Sequence, residues 1–180
     1  MKKFFTHNKI SFVILYLIIL SCSGSKNQKK YFNDLGEIPF DGQLDDRNFK
    51  LCHEDLTIPF NYGGFGLIYE GEKKKLVETI KDKFNYPETK GQTGFITVRF
   101  IINCEGQTGR FRVIEMDLNL KAKKFDNNIS NQILNIIKGL DGWKPLERWE
   151  KVWDVQQYLT FKFENGILTE ILPWKDIFYL

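Results

Sequence analysis

The run Phe95-Ile96-Thr97-Val98-Arg99-Phe100-Ile101-Ile102-Asn103-Cys104 constrains this chain more than any other segment. Ile96, Val98, Phe100, Ile102 and Cys104 recur at every second position, with Thr97, Arg99 and Asn103 between them. A period of two sends alternate side chains to opposite faces of an extended strand, so one face here is strongly buried. Phe95 and Ile101 add apolar surface to the other face. Such a strand is not stable alone; its apolar face needs helices or a second sheet laid over it.

Flanking patterns supply that cover. Glu105-Gly106-Gln107-Thr108-Gly109 has the glycines of a hairpin connection, and Arg110 to Met116 reads as the returning strand, with Phe111 and Val113 inward. From Glu72 onward Leu76, Val77, Ile80 and Phe84 recur at helical spacing, and Pro87 ends that helix by keeping Tyr86 out of the α region. Phe125, Ile129, Ile133, Ile136, Ile137 and Leu140 form a second amphipathic helix, with Asp126 as its N-cap and Gly139 near its end. Val155 to Glu164 alternates again, with Leu159, Phe161 and Phe163 on one face. Asn165-Gly166 turns the chain into a short last strand, Ile167 to Leu172. The expected fold class is α+β, with two helices packed on one face of a three- to four-stranded antiparallel sheet. A partly ordered region precedes it, with a short helix expected near Asp45 to Leu56 and packing onto the main domain.

The landmarks Tyr86-Pro87, Gly94 to Ile102, Gly106, Trp143-Lys144-Pro145 and Phe161-Lys162-Phe163 follow one another in an order that resembles the C-terminal domain of the energy transducer TonB. The resemblance covers roughly residues 73–173. It implies a fold and a mode of binding, in which the last long strand meets an extended segment of an outer-membrane receptor and backbone bonding supplies the affinity. On that reading Gln156, Tyr158, Thr160 and Lys162 face away from the helices and grip a peptide at an open edge. Alternatively, the carboxy-terminal strand or the amino-terminal segment already closes that edge. The chain departs from the family in two ways. It has five prolines in all and no Pro-rich arm, and an expected cleavage site stands in place of the membrane-spanning segment.

That site lies at the amino terminus. Met1 to Lys9 is basic, Ile10 to Leu20 is almost wholly apolar, and Ile19-Leu20-Ser21-Cys22 is followed by a polar stretch. The apolar run suits a signal peptide and is short for a bilayer span. A small residue followed by Cys after such a run resembles a bacterial lipobox, which implies cleavage before Cys22 and acylation of that residue. Several acyl chains together give stable anchoring to membrane lipid. An ordinary cleaved signal and a retained anchor helix are the alternatives, the latter giving a TonB-type transducer variant that supports outer-membrane transport. The expected organisation is therefore a signal peptide over 1–21, a tether and irregular region over 22–71, and the α+β domain over 72–180. The expected location is the cell envelope, lipid-anchored and facing the periplasm from the outer membrane.

With Cys22 lipidated, Cys52 and Cys104 remain, and an oxidising compartment permits a disulfide between them. Two buried free thiols are the alternative. Once the three lysines of the amino-terminal segment are removed, basic and acidic residues balance at 23 each, which gives no electrostatic reason for a nucleic-acid partner. His53 is the one histidine after the signal, and Cys52-His53-Glu54 has no second ligand pair at metal spacing. Asp45-Asp46 and Glu54-Asp55 read as solvated charges rather than an acid–base pair. Gly63-Gly64-Phe65-Gly66 lacks the Lys-Ser/Thr of a phosphate loop. No enzyme activity, cofactor, metal or small-molecule substrate is expected; an envelope protein partner is.

Overall fold

The computed structural model describes residues 36–54, 57–58, 67–86 and 91–173. Helix α1 (Glu72–Lys83) leads into β1 (Gly94–Ile102) and β2 (Thr108–Met116). Helix α2 (Asn127–Lys138) follows, then β3 (Leu146–Arg148), β4 (Lys151–Trp153), β5 (Val155–Glu164) and β6 (Ile167–Pro173). The four long strands form one antiparallel sheet in the order β2-β1-β5-β6, and β3 pairs with β4 in a separate hairpin. The class is α+β, as the two apolar periodicities require.

The helices share one face. Leu76 and Ile80 of α1 join Ile129, Ile133 and Ile137 of α2 in a single core with Ile96, Val98, Phe100 and Ile102 of β1. Leu159, Phe161 and Phe163 of β5 complete it. Each such side chain, fully withdrawn from water, contributes about 1.5–3 kcal/mol. Asp126 caps α2 by accepting the Asn128 N–H at 2.8 Å. Trp143 stands edge-on to Tyr69 at 4.9 Å and to Phe100 at 5.0 Å, sealing one end of this layer. Its isolated bridge with Tyr69 ties the loop after α2 to the segment before α1.

Three details differ from expectation. Strand β1 ends at Ile102, so Cys104 lies in the turn, where the Asn103 side chain accepts from the Glu105 and Gln107 N–H groups. Val113 lies opposite Val98 yet is 36% exposed, because β2 is an outer strand at the rim of the helical layer. No helix forms over the described part of Asp45 to Leu56. Asp41 and Asp46 instead accept the N–H groups of Gln43 and Asn48, two residues on, and hold the chain in turns. Short acidic side chains compete for backbone donors in this way and disfavour helix.

The segment before α1 is irregular but docked. Residues 37–54 run over the face opposite the helices, where Ile38, Leu51 and Phe49 pack on Ile101. A register shift between Arg99 and Ile101 leaves an extra residue in β2, and Arg110 there takes a φ of 53°. That bulge lets Arg110 and Arg112 both reach the docked segment. Arg110 contacts the Ile38 carbonyl and Glu54; Arg112 holds both oxygens of Asp45.

Candidate functional site

Gln156, Tyr158, Thr160 and Lys162 alternate along β5 and do face away from the helices. They do not form an open edge. Strand β5 lies inside the sheet, paired with β1 from Val155 to Phe163 on one side. On the other side β6 pairs with Leu159 to Glu164, and Ile58 bridges Val155. That bridge runs from the Ile58 N–H to the Asp154 carbonyl at 2.8 Å and from the Gln156 N–H to the Ile58 carbonyl at 2.9 Å. The alternative in which neighbouring segments close the edge describes β5.

Its polar face is also buried rather than presented. Thr160 shares a hydrogen bond with Thr97 across the β1–β5 pair at 2.8 Å. The Tyr158 hydroxyl donates to Gln156 Oε1 at 2.9 Å, and Gln156 Nε2 donates to Thr57 Oγ1 at 3.2 Å. Burial pushes the Tyr158 hydroxyl pKa above its ordinary value, against the opposing pull of Arg99, whose guanidinium lies 5.2 Å from the ring centroid. Lys162 lies at the rim. Hydrogen bonds to Glu170 and Glu164 hold its ammonium above the usual lysine range. In β6 Ile167 and Thr169 are exposed and Leu168, Ile171 and Leu172 are buried. A register shift opposite Lys162 and Phe163 leaves Thr169 as an extra residue, its hydroxyl donating to the Lys162 carbonyl at 3.2 Å. Among the described strands β6 is the last on its side of the sheet.

A second cluster forms where the docked segment meets the start of β5. Cys52 and Cys104 are joined by a disulfide, with Cα atoms 6.0 Å apart. Beside it lies Asp154, fully buried between β4 and β5. Asp154 Oδ2 accepts the His53 N–H at 2.7 Å, and Oδ1 accepts the Cys104 N–H at 3.0 Å. The His53 Nδ1 atom is 3.7 Å from Oδ2, and its ring lies 5.9 Å from that of Trp153. The donor atoms of Cys52, Cys104 and Asp154 all lie within 4.8 Å of one another. Sequence reasoning passed over Asp154. A lone acid between Trp153 and an apolar strand was the available signal, since burial of a carboxylate demands partners.

The β3–β4 hairpin was likewise not foreseen. Its turn residues Trp149 and Glu150 take φ values of 52° and 59°, the hairpin geometry that Asn-Gly satisfies with least strain. The groove between the helices presents Lys83, Asn128, Gln132 and Asn135, which are amides and one ammonium without an acid–base pair. Cys22 and the segment expected to be a signal peptide lie outside the described residues, as do Pro87 and the glycines at 63, 64 and 66. Among the described residues no helix is long and apolar enough to cross a membrane. Comparison with protein-family models, curated proteins and solved structures finds no match for this chain.

Proposed function

We propose that this chain is a lipid-anchored envelope protein whose α+β domain, TonB C-terminal-like, binds an extended segment of a protein partner by strand addition along β6. The observation that carries the reading is the open sheet. With one face covered by helices and β5 held on both sides, β6 is the outer strand next to it. Backbone groups on an outer strand are either covered or used, and pairing with a peptide satisfies them with little demand on sequence. Exposed Ile167 and Thr169 supply side-chain contacts there, and the Lys162–Glu170 pair keeps the inner side of β6 registered on β5. Anchoring through acylated Cys22 confines the domain to a membrane surface, which raises the effective concentration of a partner in the same envelope.

The test places a photo-cross-linking residue at Thr169 of the full chain in intact cells, with Thr160 of β5 as the buried control. The expected product joins Thr169 to an extended segment of one envelope protein, and a synthetic peptide of that segment slows hydrogen exchange of the β6 amides. Only intrachain products from Thr169, in a chain that is folded, would sink strand addition at this edge. Anchoring is tested separately with a palmitate analogue, whose incorporation should be lost in Cys22→Ser.

A further inference from the structure

Asp154 is fully buried, and no lysine or arginine among the described residues pairs with it. A carboxylate in that position is costly without a positive charge nearby, and two backbone N–H groups answer only part of the demand. Its side-chain neighbours are the His53 imidazole, 3.7 Å away, and the two cysteine sulfurs within 4.8 Å. A disulfide that merely staples the docked segment to the sheet needs no carboxylate beside it. We propose that Cys52, Cys104 and Asp154, joined by His53, form a redox-gated site for a thiophilic divalent cation, with zinc the best match.

In the disulfide form both sulfurs are spent on one another and offer no thiolate. Reduction requires a protein dithiol. One thiolate of that reductant attacks Sγ of Cys52, the more exposed residue of the pair, the S–S bond breaks, and its electron pair leaves on Cys104 Sγ. The reductant's second thiol then resolves the mixed disulfide, so the reductant departs oxidised and the chain holds two thiols. Metal binding displaces both thiol protons. Two thiolates and one carboxylate then face a doubly charged ion, with neutral His53 as the fourth donor.

The geometry suits tetrahedral coordination. Zinc bonds of about 2.3 Å to sulfur and about 2.0–2.2 Å to oxygen or nitrogen place neighbouring ligand atoms about 3.3–3.8 Å apart. Cys52, Cys104 and Asp154 hold their donors within 4.8 Å of one another, whereas the His53 nitrogen, 3.7 Å from Asp154, lies outside that group and must turn toward the sulfurs to complete the set. Asp154 is already oriented by the Cys104 and His53 N–H groups, the kind of outer contact that fixes a metal ligand. Cys52 is an exposed residue, and the Trp153 ring lies 5.9 Å from that of His53. Sequence alone hid the set, because it joins four residues from three separated segments.

Cobalt titration of the reduced full chain tests the site. The expected result is one equivalent bound, with thiolate-to-cobalt charge-transfer absorption and the intense visible bands of a tetrahedral ion, reversed by zinc. The oxidised chain and Cys52→Ser/Cys104→Ser should give neither signal. Asp154→Asn should weaken binding by roughly tenfold or more. His53→Ala leaves the buried carboxylate untouched and should both weaken binding and shift the visible bands, so it decides the matter if Asp154→Asn fails to fold by circular dichroism. No thiolate–cobalt absorption in the reduced chain overturns the proposal. So does binding indifferent to Asp154→Asn in a folded chain, or to His53→Ala where that variant decides.

Discussion

Replacing Arg112 by Met removes the strongest polar tie between the docked segment and the sheet. Its guanidinium meets both Asp45 oxygens, at 2.7 and 2.8 Å, and also reaches the Pro39 and Phe111 carbonyls. The Asp45 side chain is 2% exposed, whereas Arg112 keeps 21% of its side chain accessible. Arg112→Met therefore strands a buried carboxylate, a defect of about 3–5 kcal/mol. Asp45→Asn leaves a cation that still touches water and two carbonyls, so a loss of about 1–3 kcal/mol is expected. The pH dependence has a definite sign. Burial alone would raise the Asp45 pKa, but hydrogen bonds from Arg112 and the Asp41 N–H outweigh it and hold the carboxyl below its ordinary value. A carboxyl lowered on folding contributes fully above its unfolded pKa of about 3.9, and that contribution fades as pH falls through the lower folded value. Without Arg112 the lowering disappears, so the gap between Arg112→Met and wild type is widest at neutral pH and narrows in acid. Urea unfolding followed by tryptophan fluorescence across that range measures it. The double variant Asp45→Asn/Arg112→Met should be more stable than Arg112→Met alone, since no buried charge is stranded. Strict additivity of the two single losses, or a neutral-pH loss below about 1 kcal/mol for Arg112→Met, would refute the coupled pair.

Reduction of Cys52–Cys104 without metal opens a loop spanning a sequence separation of 52 and should lower stability by about 4 kcal/mol, read as a drop in urea midpoint. Gly109→Ala would place a Cβ 2.3 Å from the Phe49 ring, so the docked segment must shift; hydrogen exchange over residues 37–54 should accelerate, with a loss of about 1–3 kcal/mol. Trp149→Asn/Glu150→Gly relieves two left-handed residues at the β3–β4 turn and should stabilise the protein by about 1–2 kcal/mol in thermal unfolding.

Periodicity made most of the fold legible. The alternation from Phe95 and from Val155 located β1 and β5, and the isoleucine spacing after Asp126 located α2 with its cap, because each pattern has one geometric solution. Asn165-Gly166 marked the β5–β6 turn for the same reason: φ values of 52° and 85° suit those two residues. What escaped was set by distant contacts. The β3–β4 hairpin uses Trp149 and Glu150 where turn chemistry predicts Asn-Gly, and the docked segment has no period at all. Its position follows from Arg110, Arg112, Asp154 and the bulge in β2, none of which lies near it in sequence.

The polar face of β5 shows how a correct direction can carry a wrong environment. Alternation established that Gln156, Tyr158 and Thr160 point away from the helices, and polar residues on such a face ordinarily meet water. Here they meet one another and the docked segment, with Thr160 on Thr97 and Gln156 on Thr57. Two independent covers act along the outward edge of the strand. Ile58 takes the backbone groups at Asp154 and Gln156, while β6 takes those from Leu159 onward. The first cover belongs to a segment that the disulfide and the Asp154 carboxylate also hold, at the same corner of the sheet. The second is a hairpin partner fixed by a two-residue turn. Access to the backbone of β5 would therefore require both to be displaced, at opposite ends of the strand. Among the described residues no strand pairs with the outer side of β6, so the proposed pairing uses the outer strand rather than the longer and more regular inner one.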